Sequence, residues 1–365
     1  MAGIYGQGPG HGREIMHAIL HIGTVKTGTS SIQSFLHDNR ALLRGQGVLY
    51  PQCLCDAALV HSRRLADHNK LGLHLIFGFP GEVLEPLRGE LAASGCTRLL
   101  ISAEILSEYM KTAQQVQALR GFLTALGCTQ FSVAVWLRES GALFASLCSQ
   151  WLKNGAPEYA HLMTPRSGAH LRSVLDSRAL LQRWEEVFGR EALTVRLFEP
   201  ECFVQGDLLC DAVAAFGLQW DERFVRPPRI NESLNLPEME VLRVISRLQP
   251  GPAYVPDTPK GLLFEVLHRH LGALDAPGMR FVPPQAVTAA WREWAAEGNE
   301  WVRREFFPAR QTLFAPPPAQ AENYELTHLT PGCWEALGRA FAELSEENCS
   351  LRAEVRRLRG NDAGH

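Results

Sequence analysis

The chain has 365 residues, of which 46% are hydrophobic and 21% charged, and its formal net charge is −3. That is the composition of a soluble globular protein with ample material for a core. It argues against a nucleic-acid binder, which needs a basic face, and no run approaches the roughly 20 apolar residues of a membrane span.

Residues 1–14 are rich in glycine, lack a long apolar stretch and read as a disordered leader with no secretory signal. Next comes the most informative segment, Met16 to Gln33. Ala18, Ile19, Leu20 and Ile22 form a short apolar run, as a strand buried on both faces would. Gly23 and Gly28 allow a tight loop, and Ser30, Ser31 and Ile32 open a helical pattern carrying Phe35 and Leu36. Such a loop aims backbone N–H groups at one spot, the helix dipole adds partial positive charge, and Lys26 adds a full one. It is a phosphate cradle in outline. In a Walker A loop, G-x-x-x-x-G-K-[ST], the lysine follows the second glycine. Here Thr29 and Ser30 follow Gly28, and Lys26 precedes it. The nucleoside triphosphatase reading weakens accordingly, and with it the magnesium that a Walker hydroxyl holds.

Strand-like runs recur near 17–22, 47–50, 98–102, 131–137 and 193–197, with helical stretches between them. This alternation predicts an α/β fold, a parallel β-sheet flanked by helices, with ligands at the carboxyl ends of the strands. Asp67-His68-Asn69-Lys70 lies between the second and third runs, and Ser102-Ala103-Glu104 closes the third. The fourth run ends in Arg138, and a helical stretch from Ser140 to Trp151 carries Ser146 eight residues after that arginine. Residues 15–330 read as one domain, within which 219–330 form an α-rich extension on the acceptor side, with helices at Pro237–Leu248 and Lys260–Leu271 between proline-rich loops.

From Trp334 onward, positions 334, 337, 341, 344, 348, 351, 355 and 358 hold Trp, Leu, Phe, Leu, Asn, Leu, Val and Leu. The steps of three and four make an a/d heptad seam with an asparagine at one a position, and Glu347 and Glu354 would face Arg352 and Arg359 of a partner. Residues 331–360 therefore read as a terminal amphipathic helix. One reading is a coiled coil over its second half, joining a homodimer; the other is a cap docked on its own domain. The bulk of Trp334 and Phe341 favours docking of the first half.

The nine cysteines are scattered, and Cys53 and Cys55 form a C-x-C with no partner cluster. They read as reduced thiols in a reducing compartment. The thirteen histidines form no H-E-x-x-H or Cys/His pattern, so no metal is expected.

Two motifs in the right order carry a family resemblance. Lys26-Thr27-Gly28-Thr29-Ser30 is similar to the phosphosulfate loop of sulfotransferases that use 3'-phosphoadenylyl sulfate (PAPS), and Arg138 with Ser146 resembles their 3'-phosphate site. Arginine offers phosphate a charge-assisted fork, and a serine two helical turns on adds a hydroxyl. Weaker likenesses at Leu193–Pro200, Gly206–Gly217, Arg229–Leu234 and Asn299–Phe306 point to the bacterial cytosolic branch. Roughly residues 16–315 are covered.

The resemblance implies in-line transfer of a sulfuryl group from PAPS to an acceptor hydroxyl or amine, with a carbohydrate favoured. Lys26 is implied to stabilise the leaving oxygen. Lys26, Thr27, Gly28, Thr29, Ser30, Arg138 and Ser146 are implied to hold the nucleotide. Glu104 is the expected general base, since several sugar-directed members use a glutamate at the matching place. His68 is the alternative, and His61 stands behind both. The expected setting is the cytoplasm, where PAPS is made, with no metal, nucleic acid or membrane span. Two other readings compete: a non-catalytic scaffold acting through the C-terminal helix, and a P-loop kinase, which the displaced lysine disfavours.

Overall fold

The computed structural model describes residues 16–55, 66–78, 82–155, 160–228, 233–249, 251–253, 258–274, 279–317, 321–326 and 329–362. The expected leader, His61 and residues 229–232 lie outside the described residues. Five strands form one parallel sheet in the order β2-β3-β1-β4-β5. They are β1 (Met16–His21), β2 (Val48–Leu49), β3 (Arg98–Ser102), β4 (Cys128–Leu137) and β5 (Leu193–Leu197). Helices make the crossovers, as parallel pairing requires. The architecture is the expected α/β class, and all five expected strands are present, with β4 starting earlier, at Cys128.

Side chains alternate across a strand, and the middle of each central strand is apolar because both of its faces are covered. Ala18, Leu20 and Ile22 enter one hydrophobic cluster, together with Leu99, Ile101, Val133, Val135 and Leu137. Ile19, Leu100, Ala134 and Trp136 enter the cluster on the other face. In register, Leu20 lies beside Ile101 of β3 and Val133 of β4. The helix Thr29–Asp38 buries Ile32, Phe35 and Leu36 in the second cluster, a helical spacing of three and four. The loop between β1 and this helix is thereby held at the carboxyl end of the central strand.

The chain divides into two compact units. The first, residues 1–143, 168–231 and 292–317, contains the sheet; the second comprises 144–167, 232–291 and 318–365. The α-rich stretch expected over 219–330 is therefore split. Its residues Val302, Leu313 and Phe314 pack in the core of the sheet unit, while the helices Leu236–Leu248 and Pro259–Leu271 belong to the second unit.

The C-terminal helix spans Pro331–Asp362. Ala336, Leu337 and Ala340 pack with Ile245, Val266, Leu267 and Leu271 in one apolar cluster, and Glu343 pairs with Arg269 and His270 at its rim. The first half is docked, but not by the residues expected to drive it. Trp334 and Phe341 are each 62% exposed. The close approach is made by the small side chains of Ala336 and Ala340, which bring the helices together where large rings would hold them apart. From Ser345 to Arg357 every side chain is exposed.

Among the described residues no helix is long and apolar enough to cross a membrane, and no group of His, Cys, Asp and Glu could hold a metal ion. All nine cysteines are free thiols, and burial pushes the thiols of Cys53 and Cys55 up to about 12.

One buried polar contact ties β4 to the helix Leu208–Ala215. Trp136 donates its Nε1–H to Asp211 Oδ2 at 2.8 Å, and that carboxylate also accepts from the Val204 N–H at 3.3 Å. Trp136→Phe leaves a buried carboxylate short of a donor and a gap beside it. We expect a loss of about 2–4 kcal/mol in urea denaturation. Asp211→Asn in the same background should recover part of that loss.

Candidate functional site

The loop from Ile22 to Gly28 is anchored on β4. The Ile22 N–H donates to the Ala134 carbonyl at 3.2 Å, and the Thr24 hydroxyl donates to the Trp136 carbonyl. Thr27 turns its hydroxyl inward onto the Thr24 carbonyl at 2.7 Å. Both motif glycines are needed. Gly23 (φ +32°) has Thr29 Cγ2 only 2.8 Å from where a Cβ would stand. Gly28 (φ +73°) caps the helix in the left-handed region, and a Cβ there would overlap Leu208.

Lys26 is the strained residue of the loop, with φ of +63°. An L side chain held there costs energy, and such residues persist where surrounding contacts over-determine them. The contact that does so comes from Arg138, whose Nη1 donates to the Lys26 carbonyl at 2.7 Å. The arginine lies 5.4 Å from the ring centre of Phe198, and Phe198 in turn extends the β4–β5 pairing by a 2.7 Å bond to the Leu137 carbonyl. The two motifs found in the sequence are thus joined directly, side chain to backbone.

At the helix start the Gly28 carbonyl accepts from the N–H groups of Ser31 and Ile32. The N–H groups of the first turn therefore lie ahead of the intrahelical ladder, where helices bind anions. The first turn holds no acidic residue and no side-chain cap. Thr27 and Thr29 are buried, and their hydroxyls serve the loop itself. Thr29 donates to Glu104 Oε1. What these two residues can offer an anion is backbone N–H, whereas Ser30 is half-buried and keeps its side chain near the surface.

Glu104 follows β3 and precedes the short helix Ile105–Tyr109. Its carboxylate touches the cradle through Thr29. Ser107, on the same short helix, donates to the Gly23 carbonyl at 2.8 Å and so ties it to the loop. His68 is wholly buried; its Nε2 bonds the Pro51 carbonyl at 2.9 Å, and its Nδ1 accepts the Ser102 N–H at 3.2 Å. Those bonds fix the tautomer with the proton on Nε2 and leave neither nitrogen for an acceptor's proton. Ser146 is buried two turns along the helix Ser140–Lys153, in the second compact unit. His61 lies outside the described residues.

The sequence reading missed four contributors: Thr24, Ser107, Phe198 and Glu108. Glu108 lines a small cleft with Thr24, Val25, Ser107, Ser173, Val174 and Leu180. Burial raises its pKa, against the opposing pull of His170 and Lys111. The spacing of four between Glu104 and Glu108, one helical turn, was the available signal.

No family model matches the chain, and no curated protein matches it. Among solved structures, a sulfotransferase from Alicyclobacillus acidocaldarius is similar, with 16% identity and a TM-score of 0.34, covering 63% of this chain and 91% of that one.

His21 supports the site from below. Its Nδ1 lies 2.7 Å from Ser102 Oγ, and its ring meets Trp136 edge-on at 5.3 Å. Burial lowers the pKa of both His21 and His68 from 6.5 to about 3. Between those values the unfolded chain binds protons that the native state refuses. Their contribution to stability is therefore full above the unfolded value and is lost as pH falls from it toward the native one, by roughly 1 kcal/mol per pH unit for each histidine. The melting temperature should drop steeply on acidification through this window, and His21→Gln should flatten the dependence. A melting temperature insensitive to pH there would mean that the two rings are not held neutral.

Proposed function

We propose that the chain is a PAPS-dependent sulfotransferase that moves a sulfuryl group to an acceptor hydroxyl, with a carbohydrate as the favoured class. One observation carries the reading: Arg138 holds the carbonyl of a left-handed Lys26 at the mouth of a helix whose first turn has no acidic residue. That arrangement brings a lysine, an arginine and a helix N-terminus to one loop, which suits a donor rich in phosphate.

In this reading the acceptor oxygen attacks sulfur while the bond from sulfur to the bridging phosphate oxygen breaks. That oxygen leaves with the electron pair, and Lys26 offsets the charge that grows on it. The backbone N–H groups of residues 26–30 hold the phosphate, and Arg138 takes the 3'-phosphate. The acceptor's proton goes to Glu104. Glu104 is preferred to His68 because its carboxylate lies beside the cradle, whereas both His68 nitrogens are committed to backbone groups. The enzyme would work in the cytoplasm, where its donor is made.

Adenosine 3',5'-bisphosphate should raise the melting temperature without magnesium, while ATP with magnesium should do little. The reverse pattern would favour the kinase reading, and no shift with either would favour the scaffold.

Lys26→Ala should lower kcat by roughly 10²–10³-fold with the fold intact, the usual worth of one such electrostatic donor. Glu104→Gln should lower kcat by about 10²-fold or more and spare binding of the bisphosphate. A Glu104→Gln enzyme with near wild-type kcat would remove the carboxylate from the base role.

A further inference from the structure

We infer that the outer face of the C-terminal helix is the docking surface for a second copy of this chain, in parallel orientation. Docking against its own unit uses Leu337, Ala340 and Leu344, and leaves a separate apolar stripe uncovered. Trp334 and Phe341 are each 62% exposed, Leu351 is 66% exposed and Val355 44%. Trp334, Phe341, Asn348 and Val355 are spaced by seven, so they drift by only about 20° per heptad around the helix. Leu351 borders them on the side continuous with Leu344. The stripe thus runs past the end of the docked half and onto the half that its own unit leaves exposed.

Charge argues for a second copy rather than a foreign partner. With the stripe as the seam, Glu347 occupies a g position and Arg352 the following e position. In a parallel pair g faces the partner's e, so Glu347 meets Arg352 twice, and the sequence repeats this spacing one heptad later. An antiparallel pair would set g against g, glutamate against glutamate. Asn348 then meets its own copy across the axis, the arrangement by which one buried asparagine fixes two parallel strands in register. Glu354 is engaged within its own helix by Arg357, at 3.0 Å to Nε. This is an exposed pair whose exchange for an intermolecular one costs little. The free half spans only about two heptads, too short to be stable alone. Trp334 and Phe341, on the half already held by its own unit, extend the seam from a fixed base.

Removing the helix would uncover Leu267 and Leu271, so point substitutions on exposed residues make the cleaner test. Sedimentation of the full chain should show a dimer. Leu351→Glu with Val355→Glu alters only exposed side chains and should keep the melting profile of the unit while weakening association by at least about 100-fold. A full chain that stays monomeric at every concentration overturns the inference, and so does a dimer that persists in the double variant. Orientation has its own readout. In a Cys349→Ser background, Asn348→Cys should oxidise readily to a covalent dimer, because a parallel seam sets residue 348 against itself. No such cross-link in a chain that does dimerise would overturn the parallel arrangement. Glu347→Arg should weaken the dimer and Glu347→Arg with Arg352→Glu should restore it; failure of the restoration counts against the g-to-e pairing.

Discussion

The bond from Arg138 to the Lys26 carbonyl, 2.7 Å long, is the contact on which the candidate site depends. It spans two segments far apart in sequence and holds one residue of the loop in a conformation it would not adopt alone. A left-handed lysine has a cost, and a charge-assisted bond to a part-buried carbonyl is among the stronger means of offsetting it. The parallel sheet makes the contact possible. β1 and β4 are neighbours, so the loop after one and the residue after the other emerge side by side at the same edge.

Around that contact the structure spends polar groups on rigidity. Thr24 ties the loop to the Trp136 carbonyl of β4, and Thr27, Thr29 and Ser107 turn their hydroxyls toward loop backbone or toward Glu104. Below them His21, Ser102 and His68 form a buried hydrogen-bonded line that reaches the Pro51 carbonyl. Buried polar groups of this kind are costly if left unpaired and specific when paired. They fix the carboxyl ends of β1 and β3 and thereby the place of Glu104 against the cradle. In the proposed function the loop's backbone N–H groups must already be aimed at the charge, and a loop with little freedom meets that demand.

The C-terminal helix obeys two packing demands at once. Small residues on one side admit a close approach to the helix Pro259–Leu271. The large rings on the neighbouring side stay in solvent. The a/d pattern picked out the rings and passed over the alanines, because Ala336 and Ala340 fall at c and g positions of the same heptads.

Period and spacing determined a good deal of this protein. Apolar runs separated by helical stretches specified a parallel sheet, because a strand covered on both faces is built mainly of apolar side chains. Two glycines around a lysine specified a tight loop before a helix, because only glycine enters the left-handed region freely. Both are local constraints, readable in a window of a few residues. The tertiary structure alone decided three other things. It set Arg138 on the Lys26 carbonyl, it committed both nitrogens of His68 to backbone groups, and it turned Trp334 and Phe341 outward while Ala336 and Ala340 took the contact. Each depends on which surfaces meet across long sequence separations. A histidine's availability is decided by what its two nitrogens touch, and a ring's burial by how closely the neighbouring helix can approach, and neither is written in the residues alongside.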